Sequence, residues 1–149
     1  MNETPITIHG SKCLVTGYGK IGKILSKMLC GLGAQTYVEA RKYADLAMIE
    51  GHGYEPLALS ELKSRIGEFD IIFNTIPAMI FDEKILKKVK KDALIIDLAS
   101  KPGGVDFEAA KQLGVRVIWA LSLPGKVAPT TSGAIIKDTI MNILKEMEV

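Results

Sequence analysis

The chain has 149 residues, of which 48% are hydrophobic and 24% are charged, and its net charge is +2. These values are typical of one globular domain with its own core, and they exclude a disordered or collagen-like chain. No apolar run reaches the roughly 18 residues that a membrane helix needs, and the N-terminus lacks the features of a secretory signal. The small net charge gives no indication of nucleic-acid binding. We therefore expect one soluble cytoplasmic domain with no membrane or nucleic-acid partner.

Short β-type runs alternate with helix-type runs, which predicts an α/β fold: a Rossmann-type doubly wound parallel sheet in a single three-layer domain. Predicted strands cover residues 12–16, 35–39, 69–74, 93–98 and 115–119, with a very short strand near 54–56. Predicted helices cover residues 20–32, 43–50, 60–66, 82–89, 107–113 and about 130–148. Ser60, Asp82 and Asp106 are the predicted N-caps.

Cysteine and histidine are rare in the chain. Cys13 falls in a predicted strand and Cys30 in a predicted helix, which favours two buried, reduced core thiols over a disulfide. Both histidines stand alone, so the sequence predicts no metal site.

The first strand leads into Gly17-Tyr18-Gly19-Lys20-Ile21-Gly22, a G-x-G-x-x-G motif that opens an amphipathic helix. In this strand–turn–helix context the motif predicts dinucleotide binding, with a merely structural turn as the alternative. The first glycine permits the tight turn, the second lets the backbone approach a pyrophosphate, and the third lets helix and strand pack closely. The helix N-terminus then offers free N–H groups and its positive dipole end to the phosphates.

The choice between NAD and NADP depends on the end of the second strand, which reads Val38-Glu39-Ala40-Arg41-Lys42. An acid at the strand end binds the ribose 2′-OH of NAD, and an arginine nearby accommodates the 2′-phosphate of NADP. If the strand ends at Glu39, that carboxylate could face the ribose. If it ends one residue later, Ala40 leaves room, and Arg41 and Lys42 bind the phosphate. Because Ala40-Arg41-Lys42 resembles the turn of NADP-using shikimate dehydrogenases, we favour NADP, with NAD as the alternative.

Further strand ends should line the nicotinamide half of the site, because ligands bind beyond the carboxyl ends of parallel strands. One is Asn74-Thr75-Ile76-Pro77, whose polar pair could hydrogen-bond the ribose or carboxamide. Another is Ala99-Ser100 with the Pro-Gly-Gly loop after it, where small residues would admit the nicotinamide ring. The third is the loop that enters the last helix, and it includes Pro124.

Five blocks of sequence resemble the nucleotide-binding domain of the A-subunit family of dipicolinate synthase over residues 6–144: ITIHGSKCLVTGYGKIG, EARKYADLA, FNTIPAMI, LIIDLASKPGGVDF and LPGKVAPTTSGAIIKDTI. The first block is generic to dehydrogenases, whereas the last two, with their spacing, are specific. The resemblance implies NAD(P)-dependent oxidation of dihydrodipicolinate to dipicolinate during sporulation. It also implies a flavoprotein partner, the B subunit of the synthase, in the mother-cell cytoplasm of an endospore-forming bacterium. Members of the family carry an N-terminal domain ahead of this one, so we expect the chain to lack part of the whole protein.

A dicarboxylate substrate requires cations. Lys101 and Lys126 lie on two of the loops at the rim of the site, the one after Ala99-Ser100 and the one that enters the last helix, so we take them as substrate-facing candidates. No catalytic residue is assigned by motif. We expect a homo-oligomer, and a domain that is inactive when isolated. The segment at 124–131 also resembles methylenetetrahydrofolate dehydrogenases. A dehydrogenase of the folate or shikimate class and a non-catalytic nucleotide sensor therefore remain alternatives.

Overall fold

The computed structural model describes residues 7–100 and 103–120. They form a six-stranded sheet in which all neighbouring strands run parallel, in the order β3-β2-β1-β4-β5-β6. The strands are β1 Lys12–Thr16, β2 Gln35–Ala40, β3 Glu55–Ala58, β4 Ile71–Asn74, β5 Leu94–Asp97 and β6 Arg116–Trp119. The helices are α1 Lys20–Gly31, α2 Tyr43–Gly51, α3 Leu59–Arg65, α4 Glu83–Leu86 and α5 Phe107–Leu113. The predicted fold class is confirmed.

Two apolar clusters lie on opposite faces of the sheet, because successive side chains of a strand point to opposite sides. On the first face, Val15 and Val38 pack with Leu25 of α1 and Ile49 of α2. On the second face, residues of β1, β4 and β5 pack with α3, α4 and α5; this cluster includes Leu14, Leu62, Ile72, Leu86, Ile95 and Ala109. All residues of β4 and β5 are buried, as expected of strands covered on both faces.

The bounds of several elements differ from those predicted. β2 continues to Ala40, one residue beyond the prediction, because Ala40 pairs in register with Ala58 of β3. α4 is shorter than predicted, since the N–H groups of Lys88 and Val89 bond three residues back instead of four. The predicted helix at 130–148 lies outside the described residues.

Two predictions about single residues are wrong. Ser60 is not an N-cap, because α3 begins at Leu59 and its N-cap is Ala58, whereas Asp82 and Asp106 do cap α4 and α5. Both cysteines are free, but only Cys13 is buried; Cys30 is exposed on the outer side of α1. No helix within residues 7–100 and 103–120 is long and apolar enough to cross a membrane.

Candidate nucleotide-binding site

The turn between β1 and α1 is shaped by its glycines. Gly17 has φ +95°, and its N–H donates to the Glu39 carbonyl oxygen at 3.0 Å. A Cβ on Gly22 would lie 2.2 Å from the Gly17 carbonyl oxygen, so only glycine permits this approach of helix to turn. A Cβ on Gly19, in contrast, would meet no atom of the described residues within 4 Å. Within that part of the chain, the backbone at Gly19 therefore borders open space.

The N-terminus of α1 is suited to an anion. The first-turn N–H groups of a helix have no acceptor within the helix, and the helix dipole is positive at this end. Among residues 7–100 and 103–120 no side chain caps α1, and its first turn contains no acidic residue. Lys20 is its first residue and is exposed. These features fit the pyrophosphate of a dinucleotide.

The side chain of Tyr18 faces the body of the protein. It is 8% exposed, and its hydroxyl lies 3.0 Å from Nδ1 of His52. Burial, with the neighbouring Tyr54 and Asp45, raises the pKa of Tyr18 above its ordinary value. Ile21, the next apolar residue of the motif, is half-buried. Tyr18 therefore contributes its backbone, and not its side chain, to the surface of the turn.

The end of β2 separates the two residues that could contact a ribose. Glu39 is fully buried, whereas Arg41 and Lys42 are exposed. Among the described residues, neither of these two cations pairs with a carboxylate at salt-bridge distance. Ala40, the last residue of the strand, is buried and small. The structure thus has the later of the two strand ends considered above.

The segment after β4 is held by the β1 strand. The Thr75 hydroxyl donates to the Thr16 carbonyl oxygen at 2.7 Å, and the Thr75 N–H donates to the same oxygen at 3.2 Å. Thr75 and Ile76 are half-buried and Pro77 is exposed. A Cβ on Gly17 would lie 2.6 Å from the Thr75 hydroxyl. Thr75 and Ile76 therefore lie directly beside the phosphate turn.

Asn74 is buried and its side-chain amide is engaged by the protein. Its Nδ2 donates to Asp97 Oδ1 and to the Ile76 carbonyl oxygen, each at 3.0 Å. Its Oδ1 accepts from the Thr16 hydroxyl at 2.6 Å and from the Ile76 N–H at 3.3 Å. Asn74 therefore fixes the segment after β4 and ties it to the end of β5.

Asp97 ends β5 and is a residue that motif reading missed. Its oxygens accept from the Asn74 amide and from the N–H groups of Ala99, at 3.1 Å, and Gly104, at 3.0 Å. The signal that could have revealed it is an acid at the end of an otherwise apolar strand. Ala99 is buried, and its carbonyl oxygen accepts from Trp119 Nε1 at 3.2 Å.

The sheet edge thus brings together four of the predicted segments. The phosphate turn, the β2 end, Asn74-Thr75-Ile76-Pro77 and Ala99-Ser100 all follow the carboxyl ends of β1, β2, β4 and β5. Ser100 is exposed on this rim. Lys101, Pro124 and Lys126 lie outside the described residues.

Comparison with protein families identifies the family of this chain. The family model described as shikimate / quinate 5-dehydrogenase matches residues 2–119. The chain belongs to this family. Its members are dehydrogenase domains that bind NAD(P), which agrees with the phosphate turn and the parallel sheet.

Individual relatives are more specific. The chain is 40% identical over 148 residues to the dipicolinate synthase A subunit of Bacillus subtilis (strain 168), covering 99% of this chain and 50% of that protein. A crystal structure of the A chain from Bacillus subtilis matches with TM-score 0.79 and 41% identity, over 96% of this chain and 48% of that one. The structure of the corresponding dipicolinate synthase polypeptide from Bacillus halodurans matches with TM-score 0.78 and 36% identity, over 95% and 48%. The chain spans about half the length of these relatives. The resemblance to the A subunit of dipicolinate synthase is confirmed.

Proposed function

We propose that this chain is the NADP-binding domain of a dipicolinate synthase A subunit, which oxidises dihydrodipicolinate to dipicolinate during sporulation. The observation that carries the proposal is the 40% identity over 148 residues to the curated relative from Bacillus subtilis. The phosphate turn and the rim, which lie at one edge of the sheet, agree with it. The relatives are about twice as long as this chain, and we propose that their additional length includes an N-terminal domain that completes the cleft.

The preference for NADP rests on the end of β2. Ala40 stands at the strand end, where an acid would bind the ribose of NAD and repel a 2′-phosphate. Arg41 and Lys42 follow it, exposed and without a carboxylate partner at salt-bridge distance among the described residues. Guanidinium and ammonium groups in this situation suit a phosphate dianion.

Oxidation removes a hydride and a proton from the substrate, and the bound nicotinamide supplies the hydride acceptor. Since aromatisation of the ring favours the reaction, the protein contributes chiefly orientation. In this proposal the N–H groups that open α1 hold the pyrophosphate. Thr75, Ile76 and Pro77 form one side of the rim, and Ala99 and Ser100 leave room for the nicotinamide ring on the other.

The substrate and partners follow from the same proposal. Lys101 and Lys126 are the cations proposed for the two carboxylates of dihydrodipicolinate. The flavoprotein B subunit of the synthase is the proposed partner, and the assembly contains a homo-oligomer of this polypeptide in the mother-cell cytoplasm.

Calorimetric titration of NADP and NAD into the 149-residue chain tests the proposal. We expect both to bind, NADP more tightly, and turnover of dihydrodipicolinate by these 149 residues to be negligible, because in this proposal a further domain is needed to close the cleft against water. Failure of both nucleotides to bind would contradict the site. Full dehydrogenase activity from these residues would contradict the proposed need for a further domain.

A second candidate is a dehydrogenase of the shikimate class, which the family match over residues 2–119 favours. Assaying the longer natural protein with NADP and either dihydrodipicolinate or shikimate separates the two. NADP reduction with shikimate alone would support this second candidate over the first.

A further inference from the structure

Glu39 differs from the other buried polar residues at the carboxyl edge of the sheet. Its side chain is 0% exposed, and neither carboxyl oxygen has a hydrogen-bond partner among the described residues. Thr16, Asn74 and Asp97, on the same face, are joined by hydrogen bonds. Buried polar groups almost always find partners, so an unpartnered carboxyl requires an explanation.

Glu39 lies close to two parts of the proposed nucleotide site, the phosphate turn and Arg41. In the sheet it lies between Thr16 of β1 and Leu57 of β3. Its carbonyl oxygen accepts the N–H of Gly17, the first residue of the phosphate turn. Arg41, proposed to bind the 2′-phosphate, follows it by two residues. A change of charge on Glu39 therefore changes the electrostatic potential at the place where the nucleotide would bind.

Among the described residues, Arg41 is the cation that influences the ionisation of Glu39. Burial raises the pKa of Glu39, while the positive charge of Arg41 lowers it. On α3, which packs on the same face, Arg65 is paired with Glu61 and Glu68, at 3.7 and 3.0 Å, and lies over the Tyr37 ring. β3 adds Glu55 at its far end, and α1 and α2 pack on the opposite face.

We propose that Glu39 is a specificity-determining residue for the cofactor: neutral, it permits a 2′-phosphate at Arg41, and ionised, it weakens binding of NADP relative to NAD. This inference rests on the proposed function. Because the charge of Arg41 acts on Glu39, an ionised Glu39 would also act on a phosphate dianion bound at Arg41, and the two negative charges would repel each other. Because coupling is reciprocal, bound NADP also holds the proton on Glu39, whereas NAD, without the 2′-phosphate, does so far less.

The test compares the dissociation constants of NADP and NAD between pH 5 and 9 in the wild type and in Glu39→Gln. Glutamine has the same shape and no charge. From low to high pH we expect the wild-type preference for NADP to fall at least about tenfold further than that of Glu39→Gln, because at an effective dielectric constant of about 20 two unit charges even about 12 Å apart repel by about 1.4 kcal/mol. The 2′-phosphate of the free nucleotide titrates identically in the two series, so its own ionisation does not contribute to the difference. Glu50→Gln, which removes an exposed acid of α2, should keep the wild-type profile.

Superimposable profiles of the wild type and Glu39→Gln would overturn the inference, as would equal losses of NAD and NADP affinity. Binding of neither nucleotide to the wild type would instead overturn the proposed function. If Glu39→Gln does not fold, wild-type calorimetry in buffers of different ionisation enthalpy replaces it. Above pH 7, where the free 2′-phosphate is a dianion, we expect more net proton uptake with NADP than with NAD. Equal uptake with both would overturn the inference.

Discussion

The hydroxyl of Tyr18 lies 3.0 Å from Nδ1 of His52, and this contact joins the phosphate turn to the residue that directly follows α2. The Lys23 ammonium lies 5.5 Å from the centre of the Tyr18 ring. The second position of the turn is thus anchored in the body of the protein. An anchored turn holds the neighbouring backbone N–H groups in place before a ligand arrives, which lowers the entropy cost of binding.

Tyr18→Phe should therefore affect stability more than binding. It removes one hydrogen bond, so we expect the free energy of unfolding to fall by about 1 kcal/mol. NADP affinity should stay within about twofold, since the ring and the backbone are unchanged. Urea unfolding and calorimetric titration measure the two effects. A large loss of affinity in a stable variant would mean that the hydroxyl contacts the nucleotide directly.

Gly19→Val should abolish nucleotide binding and leave the fold intact. Gly19 has φ −83°, which any residue adopts, and a Cβ there meets no atom within 4 Å in the part of the chain that the structure describes. The added side chain would occupy the space from which a pyrophosphate approaches the backbone, so NAD and NADP should both bind at least ~100-fold more weakly, the loss of about two strong hydrogen bonds. Calorimetry and circular dichroism check binding and fold.

Two further glycines provide controls for Gly19→Val. A Cβ on Gly31, at the other end of α1, also meets no atom within 4 Å, so Gly31→Ala should bind both nucleotides normally. Gly22→Ala should unfold more readily, because its Cβ would lie 2.2 Å from the Gly17 carbonyl oxygen. Unchanged affinity in a folded Gly19→Val variant would contradict the assignment of the phosphate turn.

The sequence predicts where the strands lie because each apolar run is local, and β1 has the predicted bounds. It leaves open whether β2 ends at Glu39 or at Ala40. That choice depends on a pairing between Ala40 and Ala58, eighteen positions apart, which no local pattern contains. One residue decides which side chain follows the strand, so this small difference in length matters for the site.

The sequence also identifies polar strand ends without showing what they bind. Asn74 was a candidate for the ribose or carboxamide, yet in the structure its amide is occupied by Thr16, Asp97 and Ile76. Hydrogen bonds between neighbouring strands depend on register and on the loops above them. Gly104 packs so close that a Cβ would lie 2.1 Å from Asn74 Nδ2. Such contacts form only when the loops after β4 and β5 meet.

Asp97→Ala should destabilise the rim strongly. It leaves one N–H of the Asn74 amide and the backbone N–H groups of Ala99 and Gly104 without their acceptor in a buried place. Each unsatisfied buried donor costs about 1–3 kcal/mol, so for three donors we expect the free energy of unfolding to fall by at least about 3 kcal/mol. Urea unfolding measures it, with Asp92→Ala, the loss of an exposed acid, as the control. A change below about 1 kcal/mol would show that the network is readily replaced.

Arg41→Ala should weaken NADP selectively. A charge-assisted hydrogen bond to the 2′-phosphate contributes about 1.5–3 kcal/mol, which corresponds to a loss of about 10–100-fold. NAD has no 2′-phosphate, so its affinity should change little. Lys111→Ala, on α5, controls for the loss of one positive charge. Titrating both nucleotides into both variants gives the comparison, and equal losses of NAD and NADP would assign Arg41 to a part that they share.

The stability of the protein without nucleotide should depend on pH through Glu39. Burial raises its pKa in the folded state above the ordinary value of 4.5, so folded chains keep a proton that unfolded chains have lost. Stability due to this proton is complete below about pH 4.5 and is lost as pH rises through the folded pKa.

Glu39→Gln cannot lose a proton, so its free energy of unfolding should rise relative to that of the wild type as pH increases from 4.5 to 9. Urea unfolding at a series of pH values measures the difference, and Glu50→Gln, which changes an exposed acid, should show none. If the free energies of unfolding of the wild type and Glu39→Gln change in parallel across this pH range, Glu39 titrates in the folded protein as it does in the unfolded chain. Its burial then has no energetic consequence.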